Sequence, residues 1–370
     1  MREILIIAGE ASGELHGAAL AEKLRQLDPA RPLAGIGGAR MEAAGVDLLE
    51  RVDNLAVMGF VEVLRHVPKH WALLRTLRQR LESGRVGALV LIDYPGFNMK
   101  LAVAAKAAGV PVLYYVTPQV WAWGANRLEK LAKIVTRAAP ILPFEEKLLR
   151  DNGIDATFVG HPLLDRATSL PARADARREL GLDVERPVLA LFPGSREQEI
   201  HRHLDDFVAV GVEMQRRVPG LQVIMSGATT VELPASASPF PLVRGASFTV
   251  LRAADAAMCK SGTTTLEAAV AGCPLVVAYR TSGWTYWLAR RLVKIPHIGL
   301  VNVVAGREVA REFVQDALEP RAVSDELERL LSRESPRRAE VVSGLAEVRG
   351  RLGTPGASER VARMALGMAR

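Results

Sequence analysis

The sequence predicts an α/β protein made of two doubly wound domains in succession, facing a cleft, and three observations predict it. Short apolar runs alternate with stretches of helical period, each run ending in Gly, Pro, Asp or Ser, as buried parallel strands joined by helices do. The pattern runs once to about residue 165 and then restarts. Apolar residues make up 49% of the chain and aromatics only 5%, so 370 residues hold enough Ala, Val and Leu for two full cores.

In chain order, Glu3–Ala8, Ala88–Ile92, Val110–Val116, Ala138–Leu142 and Ala156–Val159 read as strands. Leu15, Ala19, Leu20, Leu24 and Leu27 recur at helical spacing behind Ser12 and Gly13. Gly160-His161-Pro162 breaks the pattern, and Ala167–Arg186 reads as a polar connector with one short helix. Pro187–Phe192, Gln222–Ser226, Ala256–Lys260 and Pro274–Tyr279 are a second set of strands. Ile200, Leu204, Phe207, Gly211 and Met214 line one face of a helix between them. Beyond about residue 323 the chain reads as helices rich in Arg, Glu and Leu, interrupted at Gly353-Thr354-Pro355-Gly356. The expected domains are Rossmann-like and span 1–165 and 166–344, with 345–370 free to complete the first.

Lys and Arg number 48 against 41 Asp and Glu, a net charge of +7. That excess suits nucleic acid, an anionic membrane surface or a phosphorylated substrate. Cys259 and Cys273 sit in apolar company and read as small core residues of a reducing compartment. The run Ile4–Ala8 is too short, and Glu10 too close, for a signal peptide, and no window offers about 18 uncharged apolar residues. A cytoplasmic location is expected.

The residues with chemical potential stand where strands meet helices. Ala8-Gly9-Glu10-Ala11-Ser12-Gly13-Glu14-Leu15-His16-Gly17 follows the first strand, and glycines there let backbone approach a phosphate or sugar oxygen at a helix start. Its spacing matches neither a dinucleotide fingerprint nor a phosphate loop, which argues against hydride transfer. Asp93, at the end of Leu91-Ile92-Asp93-Tyr94-Pro95-Gly96-Phe97-Asn98, is a candidate base or an N-cap. Thr117-Pro118-Gln119-Val120-Trp121-Ala122-Trp123 offers either a sugar-stacking wall or core aromatics.

In the second half, Phe192-Pro193-Gly194-Ser195-Arg196 places a cation in what reads as the first helical turn, against the helix dipole, so Arg196 is expected to face an anion such as a diphosphate. Lys260-Ser261-Gly262-Thr263-Thr264-Thr265-Leu266-Glu267 offers hydroxyls and amides for phosphate, with Glu267 placed to reach a ribose diol. Asn302, Glu312 and Gln315 are candidates for sugar hydroxyls and the base. No metal and no other cofactor is expected: His201 and His203 point to different faces of a helix, and no Asp-x-Asp is present.

Taken together, these blocks, with Met58-Gly59-Phe60-Val61-Glu62-Val63-Leu64 and Gly160-His161-Pro162, resemble the lipid-A-disaccharide synthase family over nearly the whole chain. The resemblance implies a GT-B glycosyltransferase. It would move 2,3-diacylglucosamine from UDP to the 6-hydroxyl of 2,3-diacylglucosamine 1-phosphate with inversion, releasing UDP. It implies Asp93 as base with Glu10 and His16 as rivals, and Arg196 with Ser261–Thr264 stabilising the departing diphosphate. The remaining substrate contacts are Gly9, Ser12, Gly13, Asn98, Gln119, Trp121, Gly194, Ser195, Gly262, Glu267, Asn302, Glu312 and Gln315. Gly96 departs from relatives that carry an acid there, which leaves the base open.

Acylated substrates imply peripheral contact with an anionic membrane, on the cytoplasmic face of the inner membrane. Two stretches fit: 66–80, with Val67, Trp71, Leu74 and Leu77 among Lys69, Arg75, Arg78 and Arg80 beside Arg65, and Trp284–Arg291. A homodimer is compatible with the reading and nucleic acid is not expected. The rivals are a UDP-sugar 2-epimerase on the same scaffold and a basic, non-catalytic binding protein, which predicts steep salt dependence and no UDP binding.

Overall fold

The computed structural model describes residues 1–52, 60–123, 126–227, 238–282 and 296–369, without the side chains of 11, 60–69, 122, 123 and 126. Met58-Gly59, Gly124 and the Trp284–Arg291 stretch therefore lie outside the described residues. The chain forms two compact units, Met1–Pro162 with Gly353–Arg370, and Leu163–Leu352.

The first unit carries strands β1 (Glu3–Ala8), β2 (Leu33–Gly37), β3 (Asp47–Arg51), β4 (Val86–Ile92), β5 (Val112–Tyr115) and β6 (Arg137–Ala139), all parallel, in the order β3-β2-β1-β4-β5-β6. The second repeats that order with β7 (Val188–Phe192), β8 (Gln222–Gly227), β9 (Leu242–Arg244), β10 (Ala256–Lys260), β11 (Leu275–Tyr279) and β12 (Glu312–Val314): β12-β11-β10-β7-β8-β9. Each sheet is doubly wound, and its order reverses between two central strands, β1 and β4 in one and β7 and β10 in the other.

The helices that bear on the argument are α1 (Ala11–Leu27), α2 (Ala39–Ala43), α3 (Phe60–Glu82), α4 (Pro95–Ala107), α5 (Val120–Trp123), α6 (Asn126–Ile134), α7 (Pro143–Asp151), α8 (Leu163–Arg166), α9 (Arg173–Glu179), α10 (Glu197–Arg217), α11 (Ser247–Ala253) and α12 (Thr264–Ala271). In β1, Leu5 and Ile7 pack with Leu89, Leu91 and Leu101 on one face, while Ile4, Ile6 and Ala8 pack with Leu20, Leu24 and Val90 on the other. Both faces are covered, so the strands read as unbroken apolar runs. The last helix, Ala357–Met368, buries Val361, Ala362 and Ala365 in that second core, beside α1.

Several expectations change. Ala156–Val159 is not a strand, since only an isolated bridge joins Ala156 to Ala138. Ala167–Arg186 holds the short helix α9, and its polarity is partly internal: Arg177 is 1% exposed and pairs with buried Asp255 at 2.6 Å. On α3, Leu77 is buried, Leu74 packs on the core and Arg80 pairs with Glu3 at 2.6 Å, so of the described residues expected at a membrane Trp71, 60% exposed, Arg75 and Arg78 face outward. Cys259 and Cys273 are buried and unbridged, and burial holds both thiols protonated by pushing their pKa values up.

Candidate functional site

In doubly wound sheets ligands bind where the strand order reverses, at the carboxyl ends of the two central strands. In the first unit Ala8 is the register partner of Ile92, so Gly9-Glu10 and Asp93-Tyr94 leave the sheet side by side. Gly9 cannot be replaced without disturbance, because a Cβ there would lie 2.1 Å from Tyr94 Cδ1. Gly13 packs on Ala8 and Ile92, while Ser12 is exposed. The tyrosine is pushed up in pKa by burial and then by the charge of Glu10, and its hydroxyl lies 3.1 Å from His70 Nε2.

Asp93 and Tyr94 both hold φ of +47°, a left-handed turn of two non-glycine residues that costs roughly 1–3 kcal/mol each. The neighbours impose it. Asp93 O accepts from Asn98 Nδ2 at 2.7 Å and from the Tyr114 hydroxyl at 2.9 Å, while Asp93 N donates to Tyr115 O and Val116 O. Asn98, expected to touch substrate, is fully buried and instead holds the backbone of the candidate base. At Gly96 an added Cβ meets nothing within 4 Å.

His16 is half-buried with its ring 6.0 Å from that of Tyr115. Its neighbour His161 is 3% exposed, and burial, followed by the charge of His16, pushes it down to about 3, so it is neutral at pH 7. Gln119 is exposed. Trp121 is half-buried, lies edge-on to Phe144 at 5.3 Å and donates Nε1–H to Glu145 Oε1 at 3.0 Å, which fixes the indole plane. Glu145 is 3% exposed and burial raises it to about 7, partly offset by the N–H groups of Trp121 and Leu142.

In the second unit Phe192 is the register partner of Cys259, so Pro193-Gly194-Ser195-Arg196 and Lys260-Ser261-Gly262-Thr263 are likewise adjacent. Arg196 is the N-cap of α10, not a first-turn residue. The anion it faces is internal: its Nη1 lies 3.4 Å from Glu199 Oε1, with 59% of its side chain exposed. Glu199 also accepts from Ser195 N at 3.1 Å and pairs with Lys260 Nζ at 2.8 Å. Burial opposes its ionisation, but Lys260 and these donors prevail and hold it below the usual carboxylate range. Gly194, at φ +146°, makes room for it, since a Cβ there would lie 2.7 Å from Glu199 Cβ.

Ser261 Oγ donates to Ile298 O at 2.7 Å, Gly262 has φ +155°, Thr263 is exposed and Thr264 half-buried at the start of α12. Glu267 is 8% exposed, raised in pKa by burial against the opposing charge of Arg166, whose Nη1 stands 3.2 Å away. The polar atoms of Asn302, Glu312 and Gln315 serve the protein's own backbone. Asn302 is fully buried, with Oδ1 accepting from Val309 N and Ala310 N and Nδ2 donating to Ala310 O and Glu312. Glu312 accepts from Ile298 N and Gly299 N ahead of the helix Leu300–Ala305. Gln315 brackets Thr281, accepting from its N at 2.6 Å and donating to its O at 2.9 Å.

The contacts of Glu145, Glu199 and Arg166 beside these turns were not legible in the sequence. Lys260, directly before the Ser-Gly-Thr turn, carried the one available signal: a cation at a strand's carboxyl end. Among the described residues no cluster of three or more His, Cys, Asp and Glu is arranged to hold a metal ion.

Two doubly wound sheets with glycine turns at both order reversals define a GT-B type α/β fold. The UDP-N-acetylglucosamine 2-epimerase of Neisseria meningitidis, solved with UDP-GlcNAc, superposes with a TM-score of 0.65 at 12% identity, covering 99% of this chain and 100% of that one. The calicheamicin glycosyltransferase CalG4 gives 0.63 at 16%, covering 100% and 98%. Residues 4–351 match the family model described as lipid-A-disaccharide synthetase. The lipid-A-disaccharide synthase of Syntrophotalea carbinolica is 42% identical over 98% of this chain and 94% of its own. The chain belongs to the lipid-A-disaccharide synthase family, the glycosyltransferases of lipid A biosynthesis.

Proposed function

We propose that the chain transfers 2,3-diacylglucosamine from UDP to the 6-hydroxyl of 2,3-diacylglucosamine 1-phosphate, giving a β-1,6 disaccharide 1-phosphate and UDP. The observation that carries this reading is the family match from residue 4 to 351. In it the amino-terminal unit takes the acceptor and the carboxyl-terminal unit the nucleotide. Asp93 removes the acceptor hydroxyl proton as its oxygen attacks the anomeric carbon, and the bond to the diphosphate breaks on the opposite face. Glu10 and His16 are its alternates for the proton. Arg196 and the turn Ser261–Thr264 take up the charge of the departing diphosphate, the electrostatic contribution that is commonly largest. Glu267 meets the ribose diol in place of Arg166.

Asn302, Glu312 and Gln315 support the backbone of the same unit. Peripheral attachment to anionic lipid through exposed Trp71 and the basic residues of α3 suits acylated substrates. Among the described residues no helix is long and apolar enough to cross a membrane.

The test is UDP release from UDP-2,3-diacylglucosamine in detergent micelles, with and without the acceptor, in EDTA. Release that requires the acceptor and survives the chelator is expected. Release without the acceptor, or conversion of the UDP-sugar at C2, overturns the reading in favour of hydrolysis or epimerisation.

A further inference from the structure

One ion pair in the carboxyl-terminal unit joins the two glycine turns. Glu199 is the third residue of α10 and Lys260 the last of β10, so their 2.8 Å contact ties the turn after β7 to the turn after β10. Part of this is a helix cap. A glutamate at the third helical position that reaches back to a preceding N–H, here Ser195 N at 3.1 Å, satisfies an orphan donor.

A cap does not need the lysine. The Lys260 side chain is only 17% exposed, its amine lies 5.8 Å from the centre of the Tyr279 ring, and a Cβ on Gly262 would come within 3.9 Å of it. Drawing an ammonium group that far from water is unfavourable unless a partner compensates, and the partner is a carboxylate that also faces Arg196. Of the two cations on this carboxylate, Arg196 has the longer contact and a side chain that is 59% exposed, while Lys260 is held close and is mostly covered.

The backbone of Glu199 is anchored from a third side. His203 Nε2 accepts the Arg280 N–H at 2.9 Å, so the imidazole proton sits on Nδ1, which donates to Glu199 O at 2.6 Å. The Glu199 backbone is thereby fixed to the end of β11 while its side chain spans β7 and β10.

We propose that the Lys260–Glu199 pair is the clamp that makes the two turns one diphosphate cradle, with Glu199 as the positioning residue for Arg196 and the Pro193–Ser195 turn, and Lys260 as its counter-ion. The inference rests on the reading of this unit as the donor unit and adds to it two residues and a division of labour. On diphosphate binding Arg196 exchanges Glu199 for a phosphate oxygen, and Lys260 retains Glu199, so the turn stays set while the guanidinium moves.

Calorimetric titration of UDP and of uridine into the full chain and into K260M, E199Q, K260R and the K260M/E199Q double variant tests this. Each of K260M and E199Q is expected to lose about tenfold or more in UDP affinity while uridine affinity holds within about twofold, since only the diphosphate contacts the cradle. The double variant is expected to bind UDP no more weakly than the weaker single, because the pair acts as a unit. K260R is expected to recover most of the loss and serves as the reading if K260M does not fold. Unchanged UDP affinity in the single variants, or parallel loss of UDP and uridine, overturns the clamp while leaving the donor assignment standing. Absence of UDP binding by the parent chain overturns the donor assignment itself.

Discussion

Arg177 donates Nη2–H to Asp255 Oδ2 at 2.6 Å inside the carboxyl-terminal unit, with both residues almost wholly buried. The same guanidinium donates Nε–H to Ala253 O at 2.9 Å, and Asp255 also accepts from Val188 N at 2.9 Å and from Arg173. The pair thus fastens α9 to the start of β7. Removing the Arg177 guanidinium leaves buried Asp255 with only Arg173 and the Val188 amide, so Arg177→Met is expected to cost about 2 kcal/mol, read as a fall in the urea midpoint at unchanged slope. A shift no larger than that of an exposed Arg78→Met control would show that the pair does not carry this stability.

His161 carries a pH dependence of defined sign. Its folded pKa lies near 3 and its unfolded value near 6.5, so below pH 6.5 the unfolded chain takes up a proton that the folded chain refuses. The stability it contributes is present above 6.5 and lost as pH falls toward 3. Between pH 7.5 and pH 5 the loss is about 2 kcal/mol, measurable by urea unfolding at the two pH values. His161→Gln is expected to flatten that difference, and a difference of the same size in the variant would assign it elsewhere.

Glu145 titrates in the opposite sense. Burial raises its carboxyl to about 7, so its contribution is complete below the unfolded value near 4.5 and is lost as pH rises toward 7. Because Trp121 donates to this carboxyl, the indole reports the change. Tryptophan emission is expected to shift with a midpoint near pH 7, and the shift is expected to vanish in both Glu145→Gln and Trp121→Phe. Persistence in Trp121→Phe would trace it to another indole.

For the proposed reaction, Asp93→Asn is expected to lower turnover about hundredfold or more with UDP affinity intact. A fall below about tenfold passes the base to Glu10 or His16, to be compared through Glu10→Gln and His16→Asn. Arg196→Ala is expected to lower both turnover and UDP affinity, because its charge meets the diphosphate in the ground state and more strongly as the bond breaks.

At the membrane, Trp71→Ala is expected to weaken sedimentation with anionic vesicles several-fold while the melting temperature holds, since the ring is 60% exposed. Equal sedimentation of the variant and parent would remove α3 from the contact.

The central strands were legible because both of their faces are buried, which leaves an unbroken apolar run in β1, β4, β7 and β10. Strands β2, β3, β9 and β12 were not. Leu33–Gly37 interrupts its run with glycines, Asp47–Arg51 is an edge strand with half-exposed residues, and Leu242–Arg244 is too short to show a period. The turns at both order reversals were legible from glycine and proline at strand ends. What each polar residue there touches was not: Asn302 and Ser261 look alike as candidates, and only tertiary packing decides that the amide of Asn302 is consumed by the loop Val309–Ala310. Partners distant in sequence, such as Glu145 with Trp121 or Glu199 with Lys260, leave no local pattern.

The return of the chain to its first unit has a consequence during synthesis. The helix Ala357–Met368 fills a face of the core that also holds Ile4, Ile6 and Leu24, and the whole second unit is translated in between. On the ribosome the first sheet must wait with that face open while a complete independent unit folds downstream of it. The amino-terminal half is therefore the last to finish, and it is the half that a carboxyl-terminal truncation or an intrusive tag would damage.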